Sequence, residues 1–136
     1  MPDSNARNIL LVEDDKDINR LIAYCLRREG FRVQQVYDGT EASRILEGGS
    51  FDIAILDIML PGASGISLCR QIKNNVKSGS TFVMIVSAKN TAEDKILANI
   101  LGADCYLTKP FNTGFLVRTI KELSSLRDKE FVVEVR

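Results

Sequence analysis

Five times in succession this chain places an apolar, β-rich run ahead of a segment with helical spacing, and no other feature constrains its fold so tightly. The runs are Ile9 to Val12, Phe31 to Val36, Phe51 to Leu56, Thr81 to Val86 and Cys105 to Leu107. A helix from about Asp17 follows the first, with Ile18, Leu21, Ile22, Cys25 and Leu26 on one stripe and Gly30 as its stop. Thr40 to Leu46 reads as the second helix, with Ala42, Ile45 and Leu46 inward and Gly48-Gly49 closing it. Ser64 caps a third, which bears Ile66, Leu68, Cys69 and Ile72, and Ser78-Gly79-Ser80 breaks the chain after it. Helices over Thr91 to Leu101, stopped by Gly102, and over Asn112 to Leu126, with Phe115, Leu116, Ile120 and Leu123, complete the series. Strands joined through helices do not pair as hairpins, and their lack of alternation marks both faces as buried. The fold class is therefore α/β, a doubly wound parallel sheet of five βα units. A chain of 136 residues holds one such domain.

Composition narrows the function classes. Eighteen basic residues balance 18 acidic ones, so no net field draws the chain to nucleic acid or an anionic bilayer, and no direct DNA binding is expected. The start, "MPDSNARN", is polar, and only four apolar residues separate it from Glu13. That is neither a signal peptide nor a membrane span, which predicts a cytoplasmic protein. Cys25, Cys69 and Cys105 are odd in number and form no ligand pattern, so they read as reduced thiols serving as small core residues. The sequence contains no His, which removes Ser-His-Asp and Cys-His catalysis and most zinc sites.

In open α/β sheets, ligands sit beyond the carboxyl ends of the strands. Glu13, Asp14 and Asp15 follow the first run, Asp57 the third, Ser87 the fourth, and Thr108, Lys109 and Pro110 the fifth. Carboxylates gathered on one rim repel unless a cation is supplied, and an all-oxygen set selects Mg²⁺, with Mn²⁺ as a substitute. A divalent cation and an ammonium on one rim match the charge of a phosphoryl group in transfer, with Asp57 as nucleophile and Ser87 able to hydrogen-bond a phosphoryl oxygen. Each residue also has a plainer reading. Glu13 to Asp15 can be the acidic first turn of a helix, with Asp15 as N-cap, while Asp57 can be a turn residue, Lys109 a solvated charge and Ser87 a polar strand end.

Taken together, "ILLVEDD", "DIAILDIMLPGASG", "VMIVSAK" and "GADCYLTKPF" at successive strand ends resemble the receiver domains of two-component response regulators, over residues 7 to 126. The resemblance implies a flavodoxin-like (βα)₅ fold with strand order 2-1-3-4-5. It implies a phosphorylation-dependent signalling switch in which Asp57 accepts a phosphoryl group from a sensor histidine kinase or a His-containing phosphotransfer protein. Glu13, Asp14 and Asp57, with the Met59 carbonyl, match the Mg²⁺ ligands. Ser87 and Lys109 match the phosphoryl-sensing hydroxyl and lysine, and Tyr106 matches an aromatic switch, although a single Tyr can equally be a rim-packed aromatic. Lys109-Pro110 is expected to be cis. Self-catalysed phosphorylation and slow autodephosphorylation do not make such a protein a turnover enzyme.

Some positions give the family pattern a local character. Met59 and Lys89 match the places flanking the hydrolytic water, and a Met there, with no group to orient water, predicts a phosphoryl lifetime of minutes to hours. Receivers with charged dimer interfaces carry acidic residues at the places of Cys105 and Phe115 and a basic one at Thr119, and this chain has none of them. Leu97, Ile100 and Phe115 instead suggest an apolar surface on the fourth helix, fifth strand and fifth helix, fitted to a homodimer or a target protein; a rotated helix that buries them is the alternative. The tail, residues 127 to 136, is either a C-terminal extension or the start of a linker. Two other functions fit the sequence less well. A phosphohydrolase of the haloacid dehalogenase type needs a second Asp where Met59 stands. A nucleotide-binding module lacks a glycine-rich phosphate loop after the first strand.

Overall fold

The computed structural model describes residues 7–75 and 79–127; the polar start, Ser78 and the tail beyond Arg127 lie outside them. The strands are β1 (Asn8–Val12), β2 (Arg32–Val36), β3 (Ile53–Leu56), β4 (Phe82–Ser87) and β5 (Cys105–Thr108), and they alternate with α1 (Lys16–Arg28), α2 (Gly39–Gly48), α3 (Gly65–Asn74), α4 (Ala92–Ile100) and α5 (Thr113–Arg127). All strand pairs are parallel, in the order β2-β1-β3-β4-β5. No described helix is long and apolar enough to cross a membrane.

Both faces of the sheet are covered, as unbroken apolar strands require. On one face Leu10, Val12, Ala54, Leu56, Val83 and Ile85 pack with Ala42 and Leu46 of α2, Leu68, Cys69 and Ile72 of α3, and Ala98 of α4. On the other, Ile9, Leu11, Ile53, Ile55, Met84 and Val86 pack with Ile22, Ala23 and Leu26 of α1 and with Leu116, Ile120 and Leu123 of α5. Each fully buried Leu or Ile contributes about 1.5–3 kcal/mol, so the two layers hold the strand ends in fixed positions.

Local chemistry sets the helix ends. The Asp15 carboxylate accepts hydrogen bonds from the N–H groups of Asp17 and Ile18 at 3.0 Å, which makes it the N-cap of α1. Ser64 caps α3 in the same way, and Gly30 ends α1 with φ near 97°. At the amino end of the sheet, Asp104 accepts from the Val83 N–H at 2.7 Å and pairs with Lys73 at 3.2 Å, while the Thr81 hydroxyl donates to the Phe51 carbonyl at 2.6 Å.

Three expectations need correction. Phe31, Phe51 and Thr81 precede their strands, whereas β4 runs on to Ser87 and β5 to Thr108. Leu21 does not join the inner stripe of α1: it is 48% exposed beside the buried Ile22, because the helix turns it toward solvent. Of the cysteines only Cys69 is fully buried; Cys25 on α1 and Cys105 on edge strand β5 are half-buried. Burial, with help from the Asp104 charge, still pushes the Cys105 thiol up to about 12, so it stays protonated at neutral pH.

The Pro-Gly break after β3 ends at Gly65, whose N–H donates to the Ile58 carbonyl at 3.1 Å. A Cβ there would come within 2.0 Å of the Asp57 carbonyl oxygen, so α3 can start this close to the strand end only with glycine. Gly65→Ala should therefore destabilise the fold by about 2–3 kcal/mol. Gly48→Ala at the open end of α2, where a Cβ meets nothing within 4 Å, should be neutral or slightly stabilising. Urea melts that rank the two variants the other way would refute this packing.

Candidate functional site

The carboxyl ends of β1, β3, β4 and β5 bring together residues that lie far apart in sequence. Glu13 follows β1 and is only 2% exposed; its N–H is held by the Val36 carbonyl at 3.0 Å. Asp57 follows β3, is 6% exposed, and donates its N–H to the Val12 carbonyl at 3.2 Å. Lys109 follows β5 and reaches back between them, with Nζ 2.6 Å from Glu13 Oε1 and 2.7 Å from Asp57 Oδ2. The remaining oxygens have partners too: the Asp15 N–H donates to Glu13 Oε2 and the Met59 N–H to Asp57 Oδ1, each at 3.0 Å. Asp14 is exposed at the mouth, and one ligand oxygen from each of Glu13, Asp14 and Asp57 lies within 4.8 Å of the others.

Electrostatics explain what this cluster can accept. Burial pushes the Glu13 carboxyl above its ordinary range, against the hydrogen bonds from Lys109 and from the Asp15 N–H. Burial alone would lower the Lys109 ammonium, but its hydrogen bonds to Asp57 and Glu13 together outweigh it and hold the pKa above the ordinary lysine value. One ammonium among three carboxylates leaves the rim short of positive charge. An oxygen-only donor set with one exposed and two buried carboxylates suits a small hard divalent cation entering from Asp14's side, so the residues fit Mg²⁺.

Ser87 is fully buried at the end of β4, and its hydroxyl accepts from the Lys89 N–H at 3.3 Å. The Lys89 carbonyl in turn accepts from the Tyr106 hydroxyl, so one residue joins the β4 hydroxyl to the β5 ring. The half-buried ring packs against the core beneath α2, α3 and α4. Burial raises the Tyr106 phenol, and the charges of Asp94 and Asp57 add to the effect, so it remains a donor at neutral pH. The Lys89 ammonium pairs with Asp94 at 3.7 Å, and the Met59 side chain is 61% exposed beside Asp57. Lys109-Pro110 is cis.

Asp14, Glu13, Asp57 and Lys109 thus meet at one point, while Ser87 and Tyr106 meet through Lys89. The sequence reading passed over Asn19, which is fully buried and donates from Nδ2 to the Glu13 and Val36 carbonyls at 3.0 and 3.1 Å. Its signal was present: with Ile22, Ala23 and Leu26 it occupies the inner stripe of α1, where an amide has no business without partners.

Many solved structures are similar to this chain. The chain is 32% identical to the receiver domain of the Francisella response regulator 1452, over 90% of this chain and 99% of that one, with a TM-score of 0.80. It is 30% identical to the BeF3-activated DrrB receiver domain, over 88% of this chain and 98% of that one, with the same TM-score. A CheY-like response regulator receiver domain protein from Methanospirillum hungatei JF-1 superposes with a TM-score of 0.86 at 28% identity, over 93% of this chain and 99% of that one. The family model for the response regulator receiver domain matches residues 9–121, a span that starts in β1 and ends in α5 and so takes in every strand end described above. The chain therefore belongs to the receiver domains of response regulators, the phosphorylation-dependent signalling modules of two-component systems.

Proposed function

We propose that Asp57 is the phosphoacceptor of this receiver, and that the domain spans residues 7–126 with a tail or linker after it. The observation that carries this reading is the buried Asp57 carboxylate, held at one oxygen by Lys109 and at the other by the Met59 N–H, at the centre of the acidic rim. A sensor histidine kinase or a His-containing phosphotransfer protein is the donor. In transfer, an Asp57 oxygen forms a new P–O bond as the P–N bond of the donor phosphohistidine breaks and the imidazole leaves. Glu13, Asp14, Asp57 and the Met59 carbonyl would hold Mg²⁺, which when bound supplies charge neutralisation for the phosphoryl oxygens. Lys109 orients Asp57 beforehand and is close enough to pair with a phosphoryl oxygen afterwards. The chain is a switch with self-catalysed transfer, without turnover of a substrate. A hydrolase of the haloacid dehalogenase type would lack its general acid, because Met59 stands at that position.

The same reading assigns Ser87 and Tyr106 to signal readout. A Ser87 hydroxyl that turns to a phosphoryl oxygen leaves the Lys89 N–H without its acceptor, and Lys89 also holds the Tyr106 hydroxyl. The ring is thereby released to move inward. The surface that senses this lies on α4, β5 and α5, where Leu97 is 46%, Ile100 72% and Phe115 47% exposed. This apolar face suits a second copy of the chain or a target protein.

Three outcomes are expected. Acetyl phosphate with Mg²⁺ should add one phosphoryl group to the wild type, read by intact mass, and none to Asp57→Ala or to wild type with the metal chelated; a labelled Asp57→Ala would overturn the assignment. The phosphoryl group should persist for minutes to hours, because exposed Met59 cannot orient water and Lys89 is engaged by Asp94. Loss within tens of seconds in a single-turnover decay would reject that. In sedimentation, a dimer of the phosphorylated chain that Ile100→Lys abolishes would support self-association, whereas a monomer at every concentration would leave a target protein as the partner.

A further inference from the structure

The acidic rim has a support that the phosphoacceptor chemistry does not by itself require. Asn19 is fully buried, and every polar atom of its side chain is used: Nδ2 donates to the Glu13 and Val36 carbonyls, and Oδ1 accepts from Gln35 Nε2 at 2.9 Å. Its backbone N–H also donates to the Asp15 carbonyl at 2.9 Å, so Asn19 grips both ends of the turn that carries Glu13, Asp14 and Asp15. The amide has one satisfactory orientation, since a flipped group would aim its oxygen at two carbonyl oxygens. Gln35 is fixed likewise, because its Oε1 accepts from Arg27 Nη1 at 3.0 Å and a guanidinium can only donate. Arg27 is anchored by a second bond, from Nη2 to the Val33 carbonyl at 2.7 Å. Donor direction therefore runs one way, from the exposed Arg27 on α1 through Gln35 on β2 and Asn19 to the Glu13 carbonyl.

We propose that Asn19 is a positioning residue that sets the orientation of Glu13 and Asp14 for the divalent cation. Holding the Glu13 carbonyl fixes the peptide plane between the two acids, and with it the directions in which both side chains leave the backbone. An apolar residue at this place would fill the α1 stripe equally well, but it would take away the bond that holds the Glu13 carbonyl and leave that buried acceptor without its partner. Partners one layer behind metal ligands act in this manner elsewhere, through orientation rather than contact.

This inference rests on the magnesium reading of the rim, and the test separates the two. Mn²⁺ binding is titrated by the EPR signal of the free ion for wild type, Asn19→Ala, Gln35→Met and Thr81→Val. Thr81→Val serves as a stability control: it removes a buried hydrogen bond at the opposite end of the sheet. Asn19→Ala should weaken Mn²⁺ binding about tenfold. It should also raise the Mg²⁺ concentration for half-maximal phosphorylation by acetyl phosphate by a similar factor, while the rate at saturating Mg²⁺ stays close to wild type. Gln35→Met, which removes the donor to Asn19 and the acceptor for Arg27 at a half-buried site but leaves Asn19's own bonds to the two carbonyls, should weaken binding about threefold. It carries the test if Asn19→Ala does not fold. Thr81→Val should lower the urea midpoint with Mn²⁺ affinity unchanged. Affinities for both network variants within about twofold of wild type, or an equal loss in Thr81→Val, would overturn the positioning role and leave the metal site standing. A wild type that binds no Mn²⁺ would overturn both.

Discussion

The ammonium of Lys109 between Glu13 and Asp57 is the interaction on which the rest of the site depends. Two nearly buried carboxylates a few ångströms apart would be strongly unfavourable without a cation, and Lys109 supplies one from the far side of the sheet. Removing it would leave uncompensated buried charge, so the pair is better regarded as a constraint on geometry than as a source of stability. Because folding raises the Lys109 pKa, its favourable contribution is fully present below the ordinary lysine value of 10.5 and is lost only as pH rises through the higher folded value. Glu13 is raised as well, chiefly by burial, so for this group protonation is favoured by the fold and its ionised form is the strained one. The rim is thus held short of full neutralisation, a condition that favours an added cation.

The topology explains why the ammonium can arrive from so far along the chain. Parallel strands put every carboxyl end on one edge, and β1, β3, β4 and β5 are consecutive neighbours in the sheet. Ser87 ends β4, and Glu13, Asp57 and Lys109 directly follow their strands, so there is little loop to blur their positions. The glycine at 65 tightens the turn after β3 so that α3 starts against the Asp57 backbone itself.

Much of this was legible in the sequence, because apolar runs and helix caps are local signals. Asp15 and Ser64 cap the helices their positions suggested, and the rule placing ligands at strand ends brought the right side chains to one edge. What was not legible depends on helix rotation and on hydrogen-bond direction. Phe115 and Leu116 are adjacent and both apolar, and only the packing of α5 decides which one is buried. Lys89 was read through its side chain, whereas its backbone makes the bonds to Ser87 and Tyr106. Asn19 is marked in the sequence only by being polar among apolar positions of α1, and its partners come from the turn after β1 and from β2.

The helix α4 has a different mechanical standing from its neighbours. Ala98 is its one buried residue, whereas α1, α2 and α3 each bury three or more side chains or glycines. Its amino end is tethered through Asp94 to Lys89, and the chain leaving its other end turns into Asp104, which Lys73 clamps. A rod pinned near its far end, resting on one small side chain and linked at its near end to the loop after β4, has the layout of a lever on a fulcrum. Tilting it would uncover little apolar surface, so it demands less free energy than a like displacement of α1, α2 or α3.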